Sequence, residues 1–471
     1  MLPIRFYFIF LLFFFIAGCL PEGVPSKYKA PLREEGEVII YLQPMPQGTE
    51  KLHFNINTIS AVRDDGLVIP FSLAVNELRG ADLTGIQKQL ASGILPPGSY
   101  TGISLQVKKA FVQTAEGQVA LLVPEEPFRV DHLFNVARKK ASTLFLSFDA
   151  SKFITDEFRF TPGFSLALPG RGLINLTGLV SNTESNTITV FNKKAMQVID
   201  TIATGQGPKG LVLDQNRARA YVAVSRDDAI EVIDVFKRQI INRLKLNFRD
   251  NPTELALTPD GRTLVSVNHD SNTVSIIDAI SMVETRRITV GNGPNSAVVD
   301  PAGLKAYVMN SGSSTISVVD LTQRTLAVTI STEAPPLRAA FNRNGSKLYV
   351  ISSNSPNLTE IDLSQLIVGK KNFIGMGAIS ITVDKQTGKI YVSKNIGRQI
   401  SVIDPFSLMF IDTIPGGGKA VFMTIDGEER SLLVAIADRN QLQKINLTSK
   451  KLVAEIEVRE GAFAVVVMGE R

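Results

Sequence analysis

Tryptophan is absent from the 471 residues, cysteine occurs once, as Cys19, and histidine three times, as His53, His132 and His269. A single cysteine excludes a disulfide framework within the chain, a cysteine-rich zinc site and an iron–sulfur cluster. Three scattered histidines leave few ligands for a metal or a haem, so no metal centre and no cofactor is expected. Long lysine/arginine tracts are also missing, and the net charge is only +5. Nucleic acid is therefore not an expected partner. What is present is a foldable composition, 44% hydrophobic and 20% charged. The length favours two or three domains.

The first segment concerns destination. After Arg5, residues 6–17 carry no charge. Twelve residues span about 18 Å as a helix, short of a bilayer core, so a signal peptide is expected over 1–18 rather than a membrane span. Ile16-Ala17-Gly18-Cys19 resembles the lipobox of bacterial lipoproteins, with Ile16 in place of the commoner leucine. The resemblance implies cleavage between Gly18 and Cys19, lipid on the Cys19 thiol, and attachment to a membrane through it. Leu20, where aspartate would imply inner-membrane retention, points to the outer membrane. Residues 19–36, polar and proline-containing, are expected to be a tether.

The C-terminal part repeats. A Val-Ile-Asp-like segment ends at Asn192, Asp234, Asp278, Asp320, Asp362, Asp404 and Asn446, at intervals of 42 or 44 residues. A second marker, Gly-x-Gly-Pro or a degenerate form, places Pro208, Pro252, Pro294 and Pro336, continued by Ala378, Ala420 and Ala462. A third is the Tyr-Val pair at Tyr221, Tyr307, Tyr349 and Tyr391. Within 291–332, four β-branched runs alternate with Gly/Pro/Asn turns, which predicts four short strands per unit. A four-stranded repeat of this size is that of a propeller blade. The first unit starts late and lacks its first strand, whereas residues 461–468 have first-strand phase and end the chain. The C-terminus is therefore expected to complete the first blade and close the ring.

These units resemble the YVTN β-propeller repeat, through Gly291-Asn292-Gly293-Pro294, Thr258-Pro259-Asp260-Gly261 and Ser275-Ile276-Ile277-Asp278. The fold expected is all-β, with a seven-bladed propeller over 176–471. Residues 37–172 do not repeat. Strands are expected at 37–42, 51–62, 67–71, 142–149 and 158–168, with a turn feeding a further strand over 95–107, Arg63-Asp64-Asp65-Gly66 as a hairpin turn and a short helix within 76–91. That describes a β-sandwich of about seven strands. Leu95-Pro96-Pro97-Gly98-Ser99-Tyr100 resembles an uncharacterised domain family of exported proteins, although Leu42-Gln43-Pro44-Met45 departs from its start.

The repeated Asp/Asn is expected to satisfy turn amides at the end of each third strand rather than to bind a ligand. His269 is the only propeller histidine and reads as a loop residue. A lactonase-like site would need His, Arg and acidic groups converging at the channel mouth, and a quinone-cofactor propeller would carry Trp motifs. Candidate contacts on the propeller face are Lys209, Arg226, Arg249, His269, Asp270, Met376 and Phe463. No catalytic residue is assigned. The function expected is a non-catalytic, lipid-anchored envelope protein that recognises protein or glycan. The alternatives are a propeller hydrolase or lactonase and a periplasmic assembly factor.

Overall fold

A computed structural model describes residues 29–149, 151, 153–156, 158–170 and 172–469. The expected signal segment, Gly18, Cys19 and most of the expected tether lie outside the described residues.

The strand Gly36–Leu42 explains how the N-terminal unit is placed. All seven of its residues are buried. Val38, Ile40 and Leu42 enter the core of the N-terminal unit. Ile39 and Tyr41 face the other way, into a second core shared with Phe191, Val198, Leu433 and Ile456 of the repeat region. A strand covered on both faces reads as a continuous apolar run, as buried strands do. It pairs in parallel with Ala141–Asp149 and antiparallel with Lys88–Leu95, inside a five-stranded sheet.

A six-stranded sheet covers the opposite side of that core, built on the long pair Leu52–Arg63 and Gly98–Thr114. Aromatic rings fill the space between, with Phe54 5.6 Å from Phe160 and Tyr100 stacked 5.2 Å from Phe134. The sequence reading missed the strands Gly117–Leu121 and Phe128–Val136. The helix expected within 76–91 is reduced to Gly80–Leu83, because the following residues are drawn into the strand Lys88–Leu95.

Residues 177–467 form seven four-stranded antiparallel sheets. Their first strands touch one another in cyclic order, and Ala462–Val467 lies between Ala420–Asp426 and Pro208–Asp214. Ala462–Val467 also pairs with Thr177–Asn182, Gly178 opposite Val467 and Val180 opposite Val465. The first and last segments of the repeat region thus share one sheet. The register slips just after Pro208, Pro252, Pro294, Ala378, Ala420 and Ala462, an irregularity kept where proline has been replaced by alanine.

Two polar devices recur. The side chains of Asn192, Asp234, Asp278, Asp320, Asp362, Asp404 and Asn446 accept backbone N–H groups two or three residues ahead. Backbone and hydroxyl bonds from Ser281 and Ser407 hold Asp278 and Asp404 below the ordinary carboxylate range, and the Ser364 hydroxyl, ahead of its backbone N–H, does the same for Asp362. Deeper in, the Asn268 amide donates to Thr273 and Ser275, and the Asn310 amide to Thr315 and Ser317. Each clamp fastens a second strand to a third across the following loop.

The change of architecture near 172–176 is not a gap in packing. Besides the shared core, Gln87 makes two bonds with the Val198 backbone, 3.1 and 2.8 Å. Glu37 and Arg459, both buried, meet at 2.8 Å. Lys29 also reaches Glu37, at 2.5 Å, while its backbone bonds with Glu184 and Asn186. The described end of the expected tether is therefore fastened to the repeat region and is not a free spacer. The cause is local: Asn186 and Glu184 present an amide and a carbonyl to it at the first sheet's loop.

Candidate functional site

In each repeat, the loop between second and third strands and the loop entering the next first strand lie at the same end of the sheet. At the second and third sheets these loops are stapled together. Ser225–Asp227 forms one 3-10 turn, and Asp228 then takes a left-handed conformation, φ 46°. The buried Asp228 carboxylate accepts the N–H groups of Arg249, at 3.1 Å, and Asn251, at 2.9 Å. Asp250, also buried, accepts the Asn247 N–H and pairs with Arg287 at 2.6 Å. Held at both ends, the loop supports Arg249 at φ 64° and Asn251 at φ 46°. That backbone region disfavours a long L side chain and persists where surrounding contacts over-determine it.

The result is a groove of about 520 Å³ lined by Lys209, Arg226, Arg249, Asp270, Asn251 and Phe248, among others. Phe248 is 85% exposed, with the Arg249 guanidinium 5.6 Å above its ring. Burial pushes the Lys209 ammonium below the ordinary lysine range; Asp270 opposes this and Arg226 adds to it. The carboxylates of the groove already accept donors, Asp228 from the backbone and Asp270 from the Asn251 amide at 3.1 Å.

Four of the seven candidate contacts named from the sequence, Lys209, Arg226, Arg249 and Asp270, thus meet in one place. The other three do not line it. His269 is half-buried, and its Nδ1, as N–H, donates to the Pro294 carbonyl at 3.0 Å, tying the third sheet's loop to the fourth sheet. Met376 is exposed on the loop before the sixth sheet. Phe463 turns toward the centre of the ring, 5.9 Å from the Arg338 guanidinium.

That central contact belongs to a cluster the sequence reading missed. Arg338 from the fifth sheet bonds Glu254 of the third at 2.8 Å and lies 5.1 Å over the ring of Phe422 from the seventh. Burial pushes the Glu254 carboxyl up, and Arg338 opposes the shift. A Cβ on Gly210 would fall 2.6 Å from Glu254 Cα, so the second sheet needs glycine there for Glu254 to fit. A signal existed. Two residues after four of the seven Pro/Ala markers the chain has a small residue, Gly210, Ser296, Ser380 or Ala464. Glu254, Arg338 and Phe422 are the three departures from that rule.

Closed cyclic contact between the first strands, one sheet completed by both ends of the region, and an axial cluster define a β-propeller. Residues 175–470 match the YNCE-like beta-propeller family, and the chain belongs to it. Similar solved structures include a functionally unknown protein from Desulfotomaculum acetoxidans, at 12% identity and TM-score 0.57, covering 63% of this chain and 99% of that one. A putative 6-phosphogluconolactonase from Bacteroides fragilis is similar at 15% identity and TM-score 0.53, with the same coverages. The dihydro-heme d1 dehydrogenase NirN is similar at 12% identity and TM-score 0.51, over 63% of this chain and 76% of that one. At such identities the likeness is one of fold. No curated protein matches the chain in sequence.

Proposed function

We propose that the chain is an exported, lipid-anchored binding protein that recognises a protein or glycan at the cell envelope. In this reading the seven four-stranded sheets are the blades of a seven-bladed propeller. The two N-terminal sheets form a β-sandwich that braces the propeller's side. The observation that carries the reading is the groove at the second and third sheets. Its loops are held in left-handed conformations by buried carboxylates, and they bring Lys209, Arg226 and Arg249 together beside an exposed Phe248. Binding rather than turnover is favoured because His269 is bonded to the Pro294 carbonyl and does not line the groove.

The full chain, solubilised from membranes, should retain an envelope component in pull-down, and the variant Lys209→Met/Arg226→Met/Arg249→Met should lose it. Equal capture by both proteins would overturn the reading. So would hydrolysis of a lactone that the same variant abolishes. Anchoring is tested separately. Cys19→Ala should leave an uncleaved precursor without fatty-acid label and release the protein from membranes. Persistent labelling in that variant would remove the anchor from the proposal.

A further inference from the structure

We infer that the groove at the second and third sheets binds an acidic saccharide. Lys209 and Arg249 would hold its carboxylate or phosphate oxyanion, with a sugar ring on Phe248. The inference rests on the recognition reading above and adds the chemistry of the ligand.

Three observations carry it. First, two of the groove's cations, Lys209 and Arg249, are left without a bonded counter-charge. The Asp228 carboxylate is taken by two backbone N–H groups, and Asp270 accepts the Asn251 amide. Among the described residues, the Lys209 ammonium and the Arg249 guanidinium have no hydrogen-bond or ion-pair partner. A half-buried ammonium without an acceptor is an electrostatic deficit that an oxyanion removes, through charge-assisted bonds stronger than neutral ones. Second, Phe248 is 85% exposed, and Arg249 lies over its ring at 5.6 Å. An exposed aromatic ring at a groove edge offers the flat apolar surface that the C–H face of a pyranose covers. Third, Asp270 and Asn251 remain within the lining. They suit the hydroxyls of a sugar.

This mixture decides between polyanions. A nucleic-acid strand calls for a basic track that follows its backbone, with stacking rings in series. Here three cations share one groove with two carboxylates, Asp228 and Asp270. A volume of about 520 Å³ is also that of a small-ligand site, within the usual range of about 300–1,000 Å³.

Calorimetric titration of the full chain tests the inference with four probes: a galacturonate tetramer, a phosphorylated mannose oligomer, a neutral galactose tetramer and a single-stranded oligonucleotide. At least one acidic saccharide should bind, and the neutral one should bind about tenfold more weakly or not at all. The carboxylate and phosphate arms identify the oxyanion. Lys209→Met, Arg249→Gln and Phe248→Ala should each weaken that binding by about tenfold. Their melting temperatures should stay at that of the parent. Lys237→Met, on a loop away from the groove lining, should leave binding unchanged. Equal affinity for neutral and acidic sugars overturns the inference, as does acidic binding indifferent to the three substitutions. Oligonucleotide binding lost in the same variants replaces it with a polynucleotide ligand. If no saccharide binds while groove-dependent pull-down of a protein persists, the inference falls and the recognition reading stands. If both fail, both fall.

Discussion

Removal of the chain from Arg459 onward should leave no cooperatively folded propeller. The deleted segment holds Ala462–Val467, the first strand of the sheet that Thr177–Asn182 continues. Ala462, Ala464, Val465, Val467 and Met468 are all buried. Burying one valine or methionine side chain is worth roughly 1.5–3 kcal/mol. The three larger side chains alone approach the whole stability of a domain, about 5–15 kcal/mol. The deletion also bares Thr177–Asn182 as an edge and uncovers the neighbouring first strands. The damage should extend to the N-terminal unit. Ile39, Tyr41 and Phe145 share a core with Ala462, Val465 and Val467, and Glu37 loses Arg459. Soluble expression and a thermal melt followed by circular dichroism check this. A truncated chain that melts cooperatively at the parent temperature would show that the ring does not depend on its last strand.

A single substitution at the same seam should also be costly. Lys193, on the first sheet, is buried, and its ammonium lies 3.0 Å from Asp426 of the seventh sheet, whose side chain is fully buried. It also donates to the Met468 carbonyl at 2.8 Å and approaches Glu428 at 3.2 Å. Asp426 Oδ2 has this ion pair but no aligned hydrogen bond. Lys193→Met keeps the apolar stem and strands the Asp426 charge in the interior. Breaking a buried pair from one side costs about 3–5 kcal/mol. That corresponds to a fall of roughly 10 °C in melting temperature. Adding Asp426→Asn should recover much of the loss, because the stranded charge is gone. Parent-like stability of Lys193→Met, or a double variant no better than the single, would show that the pair does not latch the ring.

Local features were legible because they obey short-range rules. The Asp/Asn at each third-strand end caps the turn two or three residues on, which needs only its own segment of backbone. The phase of 461–468 against the other first strands marked it as a first strand without a sheet of its own. Less local features were read partly. Lys209, Arg226, Arg249 and Asp270 stood out singly as polar residues near the ring's loops. Their sharing of one groove depends on how two adjacent sheets twist and on the bonds that Asp228 makes across them. His269, next to Asp270 in the chain, was drawn out of that groove by the Pro294 carbonyl.

The sequence by itself determined the repeat, its β character, the turn chemistry of each unit and the positions of the strands within it. Periodicity and turn composition are written along the chain, and a strand needs only its neighbours to take its face. Tertiary structure decided what meets across the ring and beside it. Glu254, Arg338 and Phe422 come from three different sheets and converge because closure carries equivalent positions onto one axis, where Phe463, one residue short of that position in the first sheet, joins them. The strand Gly36–Leu42 lies between two cores because the N-terminal unit packs on the first and seventh sheets. Neither arrangement follows from spacing in the chain. Convergence depends on rotation about a common axis and on the fit of two finished surfaces, and both exist only once the elements are assembled.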